Sequence, residues 1–200
     1  STFEDEFGNL WHTSSVCVCV NHNFERRLGL WPAGVDEDGI LFCNQYFADY
    51  PKEIPEGKFD ARKIAPAYML LSYKKKATAS SARKGMGPQN AVDESIRSMW
   101  QAESGKKGEW LCVDLGAEKD VRCVQVSFGD FEVPKKKAPR REYGGTISQE
   151  RFIDTEQPDY VYIIEVSSDS RTWLPYAGGS TKLPHKLWAE KARARYVRIT

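Results

Sequence analysis

Apolar and polar residues alternate with a period of two in short runs along most of this chain. In Trp110-Leu111-Cys112-Val113-Asp114-Leu115-Gly116, Leu111, Val113 and Leu115 fall on one face and Trp110, Cys112 and Asp114 on the other, the signature of a strand in a sheet. The same rhythm predicts strands at 16–20, 27–31 and 40–43, then at 69–73, 121–128, 160–166 and 196–200. Pro32 is expected to end the second of these, and Asp38-Gly39, Ala117–Asp120 and Ser167–Ser170 to supply turns. Little of the chain has helical periodicity, so the fold class is all-β.

The strands fall into two groups. Residues 1–54 predict three short antiparallel strands, the size of one sheet blade, which cannot bury both faces alone. Residues 55–67, bounded by Pro55 and Pro66, have linker composition, although Tyr46, Phe47, Tyr50 and Phe59 make the connector aromatic enough to pack along a domain face. Residues 68–200 carry the remaining strands and read as a two-sheet sandwich. The chain ends in mid-strand, which suggests an excerpt of a longer protein.

An apolar fraction of 40% over 200 residues supports a real core, and a net charge of +1 supplies no global field for nucleic acid or anionic lipid. The local runs Lys74–Lys76 and Lys135–Lys137 read as solvated surface. No apolar run approaches a membrane span. Five cysteines without metal-ligand spacing give no support to zinc. Cys17 and Cys19 share one strand face at about 6.5 to 7 Å, poor disulfide geometry, while Cys112 and Cys123 could bridge only if strand register allowed. Buried thiols acting as small hydrophobes are the simpler reading. Asp36–Gly39 lacks an EF-hand's spacing and reads as a turn.

The run from Phe7 to Pro51 resembles the closing part of the five-bladed β-propeller of family 43 glycoside hydrolases, on His12, Asn21-His22, Arg26 or Arg27, and Asp36–Gly39. The resemblance implies a parent enzyme that inverts arabinosyl- or xylosyl-type linkages with two separated carboxylates, both upstream of Ser1. No catalytic residue is therefore assigned in this chain. His12 matches the family's axial histidine.

Six segments of the second group, ATASS, PQNAVDESIRSMW, WLCVDLG, VRCVQVSF, YIIEVSSDSRTW and ARYVRI, are similar in kind and order to the discoidin, or coagulation-factor type C, domain. This is a galactose-binding-like jelly roll that includes many carbohydrate-binding modules. Glu94 and Ser170 stand where the pattern has glycine, which puts two loop geometries in question. The resemblance implies a structural calcium near Asn90, Asp93 and Ser98, with a turn-capping Asp93 as the alternative. It also implies sugar contacts from loops at one end of the sandwich, in 83–88, 101–108 and the long insertion 129–158. The candidates are Arg83, Gln101, Glu103, Phe131 and Tyr143. For the insertion, filling a seam against the propeller with Phe131, Tyr143 and Phe152 is the reading placed ahead of glycan contact.

The sequence thus predicts the C-terminal portion of a secreted or periplasmic glycoside hydrolase with an accessory carbohydrate-binding-like domain. A non-catalytic glycan-binding, protein-binding or structural module is the alternative. The expected partners are carbohydrate and the upstream propeller of the same chain.

Overall fold

The computed structural model describes residues 1–16, 27–44, 50–95, 97–128, 135–137, 142–143, 146–147, 152–154, 159–183 and 185–200. The chain forms two compact units, the first drawn from residues 1–70 and the second beginning at Leu71. Among the described residues there is no α-helix, and none of the structure offers a helix long and apolar enough to cross a membrane.

The first unit is a four-stranded antiparallel meander of β1 (Thr2–Glu4), β2 (Leu10–Val16), β3 (Arg27–Val35) and β4 (Leu41–Cys43), in that spatial order. One strand more is present than the alternation predicts, because Phe3 pairs with Trp11 and brings the acidic opening segment into the sheet. β2 begins at Leu10; of the strand expected at 16–20 only Val16 is described, and Cys17 and Cys19 fall outside the described residues. Pro32 does not end β3. Its fixed φ suits extended backbone, it pairs with Trp11, and its carbonyl accepts the Asn44 N–H at 2.8 Å. Asp36 closes the β3–β4 turn by accepting the N–H groups of Asp38 and Ile40. The connector packs within this unit, since Phe59 meets Trp11 edge-on at 5.4 Å and the Asn44 amide donates to the carbonyls of Ala61 and Ile64. Asn9, almost fully buried, ties the Asp5 turn to Gly57 and Phe59.

The second unit is built on a five-stranded sheet. Its strands are β5 (Lys76–Ala79), β6 (Leu111–Val121), β12 (Tyr160–Ser167), β13 (Leu174–Thr181) and β15 (Ala192–Ile199), in the order β13-β12-β15-β6-β5. A second ladder pairs β7 (Val124–Ser127) with β14 (His185–Trp188). Leu115, Val121, Val166 and Ala194 form the buried core, joined by Val124 and Tyr176, while Tyr162 packs on Trp188 at 4.7 Å and receives its indole N–H. The insertion is not a plain loop. Among its described residues β8 (Lys135–Lys137) pairs with β11 (Phe152–Asp154), and β9 (Glu142–Tyr143) with β10 (Thr146–Ile147).

Two further expectations differ. Residues 69–73 form no strand, because the backbone turns at Ser72–Lys75 and Lys74 donates to the Val92 carbonyl, leaving Met69 exposed. Residues 117–120 are not a turn but part of β6, which passes Gly116 at a φ of 86° and resumes pairing with β15 at Lys119.

Candidate functional site

The register of the five-stranded sheet decides which side chains meet. Val166, Val197, Val113 and Ala77 form one cross-strand row on the core face. On the opposite face the alternation sets Glu165, Arg198, Cys112 and Thr78 in one row, with Tyr196, Asp114 and Lys76 in the next. The β15–β6 pairing shifts between Ala194 and Tyr196, where residues 115–118 of β6 stand against Arg195 alone, and Arg195 reaches Asp114 through Nε at 2.8 Å and Nη2 at 2.9 Å. Trp110 precedes β6, and Ser170 and Trp173 follow β12. Together with these rows they line a cleft of about 340 Å³, within the size range of small-ligand sites.

Most charged groups in the cleft are fixed by partners. The Arg198 guanidinium lies over the Trp173 ring at 4.0 Å and donates to Glu165 at 2.7 and 3.1 Å. Hydrogen bonds from Arg195, aided by the Gly116 N–H, hold the Asp114 carboxyl down at about 2. Burial pushes the Cys112 thiol up, so it is a packed sulfhydryl and not a reactive thiolate. Neither Cys112 nor Cys123 is bridged.

The loops expected to touch sugar are pinned by Glu109. Its carboxylate accepts hydroxyl protons from Ser80, Ser81 and Ser104, which lower it to about 2. The Trp100 indole donates to the Ser81 carbonyl, and Arg83 and Gln101 join through a backbone bond of 2.8 Å. Arg83 and Glu103 are exposed, whereas the Gln101 Oε1 is buried without a partner. Phe131 lies outside the described residues, and Tyr143 is placed on β9 by its backbone.

Of the expected metal set, Asp93 and Ser98 meet and Asn90 turns away. Asp93 accepts the Ser95 N–H at 2.9 Å and the Ser98 hydroxyl at 2.7 Å, contacts that hold its carboxyl low. The Asn90 amide donates to the carbonyls of Gly85 and Met99. The donors suit a hard cation in type, but one carboxylate is a thin set for calcium. No group of three or more His, Cys, Asp or Glu that could hold a metal occurs among the described residues. His12 sits on β2 with its Nδ1 at 3.1 Å from the Thr2 hydroxyl.

The alternation in WLCVDLG shows that Trp110, Cys112 and Asp114 share a face, but not that Tyr196, Arg198 and Trp173 join them. The signal that could have found the site is the second alternating run, in which Tyr196 and Arg198 oppose Val197 and Ile199.

The F5/8 type C domain family model matches residues 76–137. No curated protein matches the chain. Among solved structures, chitosan-binding module 1 from a chitosanase/glucanase of Paenibacillus sp. IK-5 is 23% identical, over 66% of this chain and 85% of that one, with a TM-score of 0.47. A family 32 carbohydrate-binding module of C. perfringens NanJ, in complex with galactose, is 17% identical over 64% of this chain and 81% of that one, at 0.45. A glycoside hydrolase is 19% identical over 96% of this chain and 40% of its own length, at 0.47. Residues 76–137 of the second unit are thus similar to the F5/8 type C domain family.

Proposed function

We propose that the second unit is a carbohydrate-binding module whose ligand lies against the sheet face. The observation that supports this is the grouping of Trp110, Trp173 and Tyr196 around one cleft with Arg198, Asp114 and Lys76. Aromatic rings supply the flat apolar surface on which a pyranose stacks, and fixed polar groups orient its hydroxyls. Arg198 is preorganised by Glu165 and Trp173, so little side-chain entropy is lost when a sugar docks. Binding of the full chain to a glycan panel is the test. Trp110→Ala is expected to weaken binding at least tenfold with the circular dichroism spectrum unchanged, and a uniformly blank panel overturns the reading. Arg83, Gln101 and Glu103 are retained as proposed contacts at the loop end. Arg83→Ala and Glu103→Ala separate the two surfaces, because neither changes affinity if the sheet face is the site.

The finer reading, in which the first unit closes the propeller of a family 43-like hydrolase with His12 near its axis, is supported by the four-stranded meander and by a face that keeps apolar side chains exposed beyond the buried Pro32. Phe3, Leu28 and Leu30 share that face and are 47%, 79% and 51% exposed. A secreted or periplasmic setting belongs to the same proposal. Glycosidase assay of the parent chain on arabinosides and xylosides tests it, and inactivity on both sinks it.

Calcium at Asp93 and Ser98, the pair that meets once Asn90 is spent on the Gly85 and Met99 carbonyls, is a separate and purely structural proposal. Added CaCl2 is expected to raise the melting temperature in a way that Asp93→Ala abolishes; an unchanged melting temperature removes it.

A further inference from the structure

We propose that the sheet-face cleft selects an acidic sugar, recognising a uronic carboxylate or a sulfate ester through Lys76. This rests on the glycan-binding reading and names the ligand class of the same site. The argument is one of charge balance. Asp114 is matched by Arg195, which grips both of its oxygens, and Arg198 is matched by Glu165. Lys76 stands directly across from Asp114 on the edge strand β5, yet Arg195 and the Gly116 N–H already occupy that carboxylate. The Lys76 ammonium therefore has no hydrogen-bond acceptor of its own among the described residues; its Coulombic pull on Asp114 is shared with Arg195, which leaves it the one cation lining the cleft without a carboxylate to itself. Thr78 and Ser170 line the same space with exposed hydroxyls. A neutral sugar leaves Lys76 unused. An anionic one gains a charge-assisted bond from Lys76, hydroxyl donors from Thr78 and Ser170, and a stacking surface from Trp110.

The test uses the full chain and measures calorimetric affinity for oligogalacturonate, oligomannuronate and oligoglucuronate, each beside its carboxyl-reduced neutral form, with sulfated and desulfated galactan as a second arm. At least one acidic probe is expected to bind about five- to tenfold tighter than its neutral partner, the advantage fading with added salt. Lys76→Met is expected to erase that advantage, bringing the acidic probe's affinity down to that of its neutral partner; the side chain is exposed, so the fold is not at stake. The uronate and sulfate arms decide which anion is read. Neutral probes that bind as well as the acids, or a preference that survives Lys76→Met, overturn the proposal and leave the module a glycan binder. No binding by any probe, acidic or neutral, overturns the glycan reading itself.

Discussion

Ser170 holds a φ of 61°, in the left-handed region where a Cβ meets the following carbonyl, and its turn is fixed from both sides. The Ser167 Oγ accepts the Ser170 N–H at 2.9 Å, and Asp169 accepts the N–H groups of Arg171 and Thr172, each at 2.8 Å. The turn therefore keeps a glycine-like geometry around a residue that carries a hydroxyl into the cleft. Ser170→Gly is expected to stabilise the protein by about 1 kcal/mol by relieving the crowded Cβ, while weakening sugar binding several-fold. Urea unfolding and calorimetric titration of the same variant check both halves, and a variant neutral in both leaves the strain without a functional reason. Glu94, at φ 62°, also holds a left-handed conformation but does not line this cleft, so Glu94→Gly is the matched control. Glu109 makes a pH prediction. Its carboxyl falls from the ordinary 4.5 to about 2 in the folded state, because Ser80, Ser81 and Ser104 donate to the anion. A depressed pKa adds stability that is fully present above the unfolded value and is lost as pH falls through the folded one. Melting temperature is expected to drop between about pH 5 and pH 2, less steeply in Glu109→Gln; identical slopes would remove Glu109 from the account.

At the scale of elements, β3 shows how a strand is fitted to its ring. A Cβ on Gly29 would sit 2.1 Å from the Trp31 ring, and one on Gly34 2.7 Å from the Phe42 ring, so each glycine leaves room for an aromatic side chain over the backbone. Trp31 is among the most buried side chains of the first unit. Gly29→Ala must displace it and is expected to cost about 1–3 kcal/mol, readable in the denaturant midpoint; a cost near zero would mean the ring is not anchored there. The alternation made β6 legible, since Val113 and Leu115 share one face as their spacing predicts, and that face is the core's. It failed where pairing depends on a distant partner. Pro32 continues β3 because Trp11 and Asn44 pair with it, and β6 runs on past Gly116 because residues 192–194 pair with residues 119–121, neither of which local composition reveals. The loop residues Arg83, Gln101 and Glu103 are expected contacts that rest on the family pattern alone. The sheet-face residues were missed because Trp110, Trp173 and Arg198 come from three separated segments and meet only through register.

At the scale of the whole molecule, each unit has its own core. Trp31, Ala33, Ala61 and Ile64 are buried in the first, and Leu115, Val121, Val166 and Ala194 in the second. Two cores without shared members predict two calorimetric transitions. Gly29→Ala should lower one of them. Leu115→Ala should lower the other, by about 2–5 kcal/mol for a buried leucine. Ligand linkage then says which unit binds sugar, because a ligand stabilises only the unit that holds it. At a concentration near 100 times Kd the expected gain is about 2.7 kcal/mol. With a glycan probe present, the transition sensitive to Leu115→Ala should rise and the one sensitive to Gly29→Ala should stay in place, and Trp110→Ala should abolish the rise. If the probe moves the Gly29-sensitive transition, sugar is held by the first unit, and the cleft on the five-stranded sheet is not the site. If both transitions move together in every variant, the units unfold as one body and the assignment must come from the Trp110 and Lys76 titrations alone.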